Sequence, residues 1–168
     1  MTAKQIKELC SYLEKQVKNH CIYVWGGQGE YLRKVKFGKL EAMETSDENV
    51  ARVLEFIAKC KRNKYDMSQA RFFDCSGLLV NWLLKHGLIS SDTTAAGLYS
   101  LCSTKVDISQ IKKGDFVFKK DVKGNIVHVG CCVDDKKSII ESYGRDYGVV
   151  KNTLGSSGCS KFTLAARM

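Results

Sequence analysis

The sequence predicts an α+β domain in which N-terminal helices and one later helix pack on a mainly antiparallel sheet. Three observations point there. Apolar residues recur at helical spacing after Thr2, after Thr45 and after Asp74. The later half changes to period-two alternation in Ile126–Val133 and Ser138–Tyr143, with a polar turn, Asp134-Asp135-Lys136-Lys137, between them. With 168 residues, 44% of them apolar, the chain can bury one sizeable core without metals or disulfides. Residues 1–168 read as a single domain, with no internal repeat, low-complexity tract or linker.

The elements follow in chain order. Thr2 and Gln5 form a capping box ahead of the stripe Ile6, Leu9, Leu13 and Val17. Thr45 and Glu48 form a second box, before Val50, Val53, Leu54, Ile57 and Ala58. Lys59, Lys61, Arg62 and Lys64 crowd the end of that helix, where cations suit the dipole. They could also rim a substrate cleft; capping is the favoured reading. Asp74 caps a third helix, carrying Leu78, Leu79, Trp82 and Leu83 and stopped at Gly87. Gly155-Ser156-Ser157-Gly158 reads as a loop before a last strand, Cys159 to Ala165.

Two residues in this frame carry chemistry. Cys75 falls in the first turn of the third helix, where unpaired N–H groups and the dipole favour a thiolate. It should therefore titrate below the unperturbed value of about 8.5. Against this, most free cysteines are small core residues. His128 lies on a strand, with Val127, Val129, Cys131 and Val133 on one face and Ile126, His128, Gly130 and Cys132 on the other. A two- or four-residue turn gives the same hairpin register, setting Tyr143 opposite His128 and Glu141 diagonally beside it. The separation of about 7 Å between backbones lets a carboxylate fix the imidazole's tautomer. The bland alternative is a sheet histidine beside a surface glutamate that pairs with Arg145 or Lys137. His20 and His86 fall near helix ends, away from any strand.

Four segments, in order, resemble the motifs of the NlpC-type cell-wall cysteine peptidases: Tyr23-Val24-Trp25-Gly26-Gly27, Asp74-Cys75-Ser76-Gly77-Leu78, Gly114-Asp115-Phe116-Val117-Phe118 and His128-Val129-Gly130. The resemblance covers roughly residues 20–33 and 71–150. It implies a papain-like fold and cleavage of peptidoglycan stem peptides, usually at the γ-D-glutamyl bond to the diamino acid. By position it makes Cys75 the nucleophile and His128 the base, with Tyr23 near the thiol. Trp25, Asp74 and Ser76 join Tyr23 as substrate-binding or oxyanion positions. Three departures stand out. Glu141 occupies the third catalytic position, commonly histidine in the family. Lys113 replaces the usual proline before Gly114. The interval from Trp25 to Cys75 is long, implying an inserted helical segment around residues 34–70.

Composition narrows the class. No C-x-x-C or H-x-x-x-H pattern is present, which argues against a structural zinc site, and no cofactor is expected. Eight cysteines without a signal sequence point to free thiols in a reducing cytosol. No stretch approaches a membrane span in length. The net charge of +9 draws the protein towards polyanions. No zinc finger, aromatic RNA-binding motif or basic helix supports a specific nucleic-acid partner; anionic wall polymers are compatible. The resulting expectation is a phage or prophage lytic enzyme acting on peptidoglycan. It would be made in the bacterial cytoplasm and would reach the wall through a holin or in a virion. The alternatives are an N-acetylmuramoyl-L-alanine amidase or cross-bridge peptidase of the same chemistry, and a catalytically idle phage structural or wall-binding module.

Overall fold

In the computed structural model, which describes residues 1–168, the Thr2 box opens α1 (Ala3–Lys18). The Gln5 N–H donates to Thr2 Oγ1 at 3.2 Å, and the Thr2 N–H to Gln5 Oε1 at 2.8 Å. α1 buries Leu9, Cys10, Leu13 and Gln16. A small sheet follows that the period-two pattern does not announce: β1 (Ile22–Tyr23), β2 (Gln28–Tyr31) and β3 (Arg71–Phe73), in the order β1-β3-β2. Its central strand β3 runs parallel to β1 and antiparallel to β2.

Between β2 and β3 lie α2 (Phe37–Glu44) and α3 (Asp47–Arg62). The expected Thr45–Glu48 box is displaced by one residue. Thr45 ends α2 in the left-handed conformation, φ 59°, so Ser46 caps α3 by accepting from the Asn49 N–H at 3.2 Å. The buried stripe is Val50, Val53, Ile57 and Cys60, while Leu54 is 41% exposed. The stripe packs on Ile22, Val24, Leu40, Ala70 and Phe72.

α4 (Gly77–Lys85) and α5 (Ala95–Leu101) precede the main sheet. That sheet contains β4 (Thr104–Val106), β5 (Phe116–Lys120), β6 (Ile126–Cys132), β7 (Ser138–Gly144), β8 (Gly148–Thr153) and β9 (Leu164–Arg167). Its order is β4-β9-β5-β6-β7-β8, with every neighbouring pair antiparallel. One face carries the main core, where Leu9, Leu13, Leu79, Leu83 and Leu98 meet Phe116, Phe118, Val129, Cys131 and Ile140. Val117, Cys132, Ile139, Phe162 and Ala165 form a second cluster.

Two expectations about the sheet need correction. A bulge interrupts β6: Lys119 pairs with His128 and Lys120 with Ile126, leaving Val127 as the extra residue. Ile126 therefore packs against the main core instead of sharing the His128 face, and Val127 is 47% exposed. The last strand starts at Leu164, not Cys159, because residues 159–163 form a loop in which the Ser160 N–H donates to Glu141 on β7 and the Thr163 N–H to the Phe118 carbonyl on β5.

α4 begins two residues later than the sequence suggests, at Gly77. This glycine is held close to the small sheet: an added Cβ would lie 2.1 Å from the Gly27 carbonyl oxygen. Gly77→Ala should therefore cost about 3 kcal/mol of stability, the scale of an overpacked core, read by chemical denaturation. A loss within 0.5 kcal/mol, roughly that of a neutral surface change, would show that the contact relaxes freely.

Candidate active site

The turn from β3 into α4 is tied by one carboxylate. Asp74 Oδ1 accepts from the Gly77 N–H at 2.6 Å and from Ser76 Oγ at 3.1 Å, and the Asp74 carbonyl accepts from the Leu78 N–H at 3.3 Å. Asp74 thus caps the helix through its side chain although the regular helix starts at Gly77. Burial raises the Asp74 carboxyl above its ordinary value despite the bonds from Gly77 and Ser76.

Cys75 sits in that turn. Seven of the eight cysteines are buried, and Cys75 alone is partly exposed. Its Sγ lies 3.9 Å from the Val127 carbonyl oxygen at the β6 bulge. Burial pushes the thiol up to about 11, and Asp74 adds to the rise; backbone N–H groups of Ser76, Cys75 and Val129 oppose it without cancelling it. The expectation of a depressed thiol is therefore overturned: desolvation and a neighbouring carboxylate outweigh the helix start. The resting group is a thiol at neutral pH. Alkylation by iodoacetamide should keep climbing as pH rises past 9, towards a midpoint near 11. A plateau below about pH 8.5, the ordinary thiol value, would contradict this geometry.

His128 is held from behind. Its Nε2 lies 2.6 Å from Glu141 Oε2, and the other carboxylate oxygen accepts from the Ser160 N–H at 2.9 Å. Glu141 is fully buried and the His128 side chain is 13% exposed. Burial alone would raise the Glu141 carboxyl, but the bonds from His128 and Ser160 overcome it and leave it below its ordinary value. The register of the β6–β7 hairpin explains the meeting. Cys131 pairs with Ile140 and Cys132 with Ile139, a register that sets Glu141 against Gly130 and Tyr143 against His128. A Cβ on Gly130 would lie 3.0 Å from the Phe162 ring, so the bare glycine leaves room for Phe162 to stack under the imidazole at 5.8 Å. With Nε2 donating to a carboxylate, Nδ1 is the nitrogen left free to take a proton. The other partners considered for Glu141 are engaged elsewhere: Arg145 pairs with Glu44, and Lys137 donates to the Ser109 carbonyl.

Cys75 and His128 open into one cleft of about 540 Å³, which Tyr23, Trp25, Asp74 and Ser76 also line. Glu141 lies behind His128 and does not line it. Burial, followed by the nearby Cys75 and Asp74, drives the Tyr23 phenol well above its ordinary range, so it stays a donor. Trp25 is 62% exposed. The Ser76 hydroxyl is spent on Asp74. His20 stacks on Tyr65 and His86 on Trp82, both outside the cleft. No group of three or more His, Cys, Asp or Glu side chains is placed to hold a metal.

Sequence reasoning missed Glu44, Arg52 and Arg145. Arg145 Nε donates to Glu44 Oε2 at 2.7 Å, and Glu44 Oε1 accepts from the Trp25 N–H at 3.0 Å. The Arg145 guanidinium lies 5.3 Å from the Tyr23 ring centroid. Arg52 on α3 lines the cleft and pairs with Asp146. The helical segment therefore reaches the cleft through Arg52, and through Glu44 behind Arg145. Lys59, Lys61 and Arg62 fall in the last turn of α3, and none of them lines the cleft. Glu44→Ala should strand a partly buried Arg145 and cost about 3 kcal/mol, as for one broken partner of a buried pair. Thermal or denaturant melts measure this, and a change under about 1 kcal/mol, as for exposed pairs, would mean the pair is solvent-screened.

A family model described as the NlpC/P60 family matches residues 61–168, a span that includes Cys75, His128 and Glu141. No curated protein sequence matches the chain. Among solved structures, the P60 domain of an antigen from M. avium subspecies paratuberculosis is 17% identical, covers 96% of both chains and has a TM-score of 0.53. The peptidoglycan hydrolase RipB from Mycobacterium tuberculosis is 17% identical, covers 99% of this chain and 68% of its own, and has a TM-score of 0.55. These two share the α+β fold. An NlpC/P60 family protein from Bacillus cereus ATCC 10987 is 26% identical over 57% of this chain, with a TM-score of 0.49; the match spans 32% of that longer chain.

Proposed function

The chain belongs to the NlpC/P60 family, and from that premise we propose that it is a cysteine peptidase hydrolysing peptidoglycan stem peptides at the γ-D-glutamyl–diamino acid bond. The observation that carries the reading is the His128–Glu141 contact of 2.6 Å, buried behind the cleft that the Cys75 thiol enters. With Nε2 held by the carboxylate, Nδ1 is the ring nitrogen left to act as a base.

Because the resting thiol is protonated, the first step is general-base attack and not collapse of a preformed ion pair. The Cys75 proton passes to His128 Nδ1 as Sγ bonds to the substrate carbonyl carbon. The carbonyl electron pair moves to oxygen, where the Tyr23 phenol and the Cys75 N–H are the donors. His128 returns the proton to the departing amine nitrogen as the C–N bond breaks, leaving a thioester. A water then gives a proton to His128 Nδ1 as its oxygen bonds to the thioester carbon. His128 returns that proton to Sγ as the C–S bond breaks, releasing the acid and restoring the Cys75 thiol. Glu141 touches no substrate; it positions the imidazole and steadies its cation. Residues 1–168 act together as the catalytic unit, the segment around 34–70 forming part of the cleft wall.

Digestion of purified walls of known chemistry tests the reading. The expected product carries a new amino terminus on the diamino acid, identified by mass spectrometry. A released lactyl–alanine bond would assign an amidase, and a cut bridge a cross-bridge peptidase. No product at all would leave an idle wall-binding module. The proposal includes a phage or prophage origin, with synthesis in the cytoplasm and release through a holin. Co-expression with a holin should lyse cells that expression alone does not.

A further inference from the structure

We propose that a basic pocket between α1, the small sheet and the end of α4 binds phosphodiester groups of an anionic wall polymer. The choice of a wall polymer rests on the activity proposed above. The pocket holds about 270 Å³ and shares no lining residue with the catalytic cleft. Lys15, Arg71 and Lys85 line it, and none of its ten lining residues is acidic.

The cations there are unpaired. Arg145, Arg167, Arg52 and Lys151 each have a carboxylate partner elsewhere in the fold. Lys15, Arg71 and Lys85 have none, and neither do Arg33 and Lys34, which flank the Tyr31 ring at the pocket wall. Burial, and then the neighbouring Arg71, pushes the Lys85 ammonium below its ordinary value. Like charges gathered in a concave site without a counterion favour entry of an anion. The Arg71 guanidinium is already oriented, since its Nε donates to the Gly29 carbonyl at 2.7 Å, and a fixed fork suits a phosphate oxygen pair.

The aromatic groups decide which polyanion. Tyr31 has guanidinium groups 4.8 Å and 5.0 Å from its centroid, and His86 stacks on Trp82 at 3.9 Å. The cations over Tyr31, the His86 stack on Trp82 and the edge contact of Tyr12 with Phe73 engage these rings, whereas proteins that hold single-stranded nucleic acid depend on rings free to stack bases. A chain of phosphodiesters without bases fits better.

Titration calorimetry with short poly(glycerol phosphate) chains at low salt tests the site. The double variant Lys15→Gln/Lys85→Gln changes two exposed side chains outside the cleft and should weaken binding at least about fivefold, with a shallower salt dependence. Its turnover of a soluble stem peptide should equal that of the unmodified protein. Equal affinity of variant and unmodified protein overturns the site. So does tighter binding of a single-stranded oligonucleotide with the same number of phosphates, which would make the ligand nucleic acid. Because binding is read without turnover, an unmodified protein inactive on the soluble peptide would sink the catalytic reading and leave this one standing.

Discussion

Cys75→Ser is expected to lower kcat/KM on stem peptides by at least about a thousandfold while the fold stays intact. The thiol already sits high, at about 11, because its surroundings desolvate it and Asp74 lies nearby. A serine hydroxyl in the same turn would be harder still to deprotonate, and His128 would have to remove its proton with no gain in nucleophilicity. The substitution changes little volume at a partly exposed position, so circular dichroism and the melting temperature should be unchanged. Near-normal clearing of walls by the serine variant would remove Cys75 from the chemistry and overturn the mechanism.

Substitution of Glu141 should give the second-largest effect, on both stability and rate. Alanine orphans two donors, the His128 ring N–H and the fully buried Ser160 N–H, each worth about 1–3 kcal/mol when unsatisfied. It also releases the imidazole to adopt either tautomer, so kcat should fall about a hundredfold with KM little changed. Glutamine can accept from only one of the two donors. Its amide nitrogen must face either Ser160 or His128, so activity should survive in part, about tenfold down. The sign of the acid response follows from the lowered carboxyl. Its stabilisation is present above the ordinary carboxylate value and is lost as pH falls through the lower folded value. Glu141→Gln should therefore flatten the acid limb of stability against pH. Equal, near-normal rates for both variants would reduce the site to a Cys75–His128 dyad.

How much of this was legible depends on how local each signal is. The β6–β7 hairpin was readable because a polar turn pins a register, and the register alone brings Glu141 to the His128 face. The Thr2–Gln5 box was readable because both its hydrogen bonds span three residues. The ordered motifs that resemble the NlpC-type family lie mostly inside the stretch that the family model matches. The small sheet was not readable, since strands of two to four residues carry no measurable alternation. Nor was α2, with eight residues and only Leu40 and Glu44 buried. Arg145 and Glu44 are 101 residues apart, and no periodicity links them. The Cys75 environment was misread for a different reason. Sequence shows the helix start, but not the tertiary burial that dominates the thiol.

The loop between β8 and β9 offers a handle for engineering. Its tip, Gly155 to Ser157, is exposed, while a few residues on, Ser160 and Phe162 brace Glu141 and the imidazole from below. A ligand-binding module spliced in at Ser156 would touch no substrate, yet its loading would pull on the amide that props the base. Lytic power could then be made conditional on a chosen signal, with the cleft and its specificity left as they are.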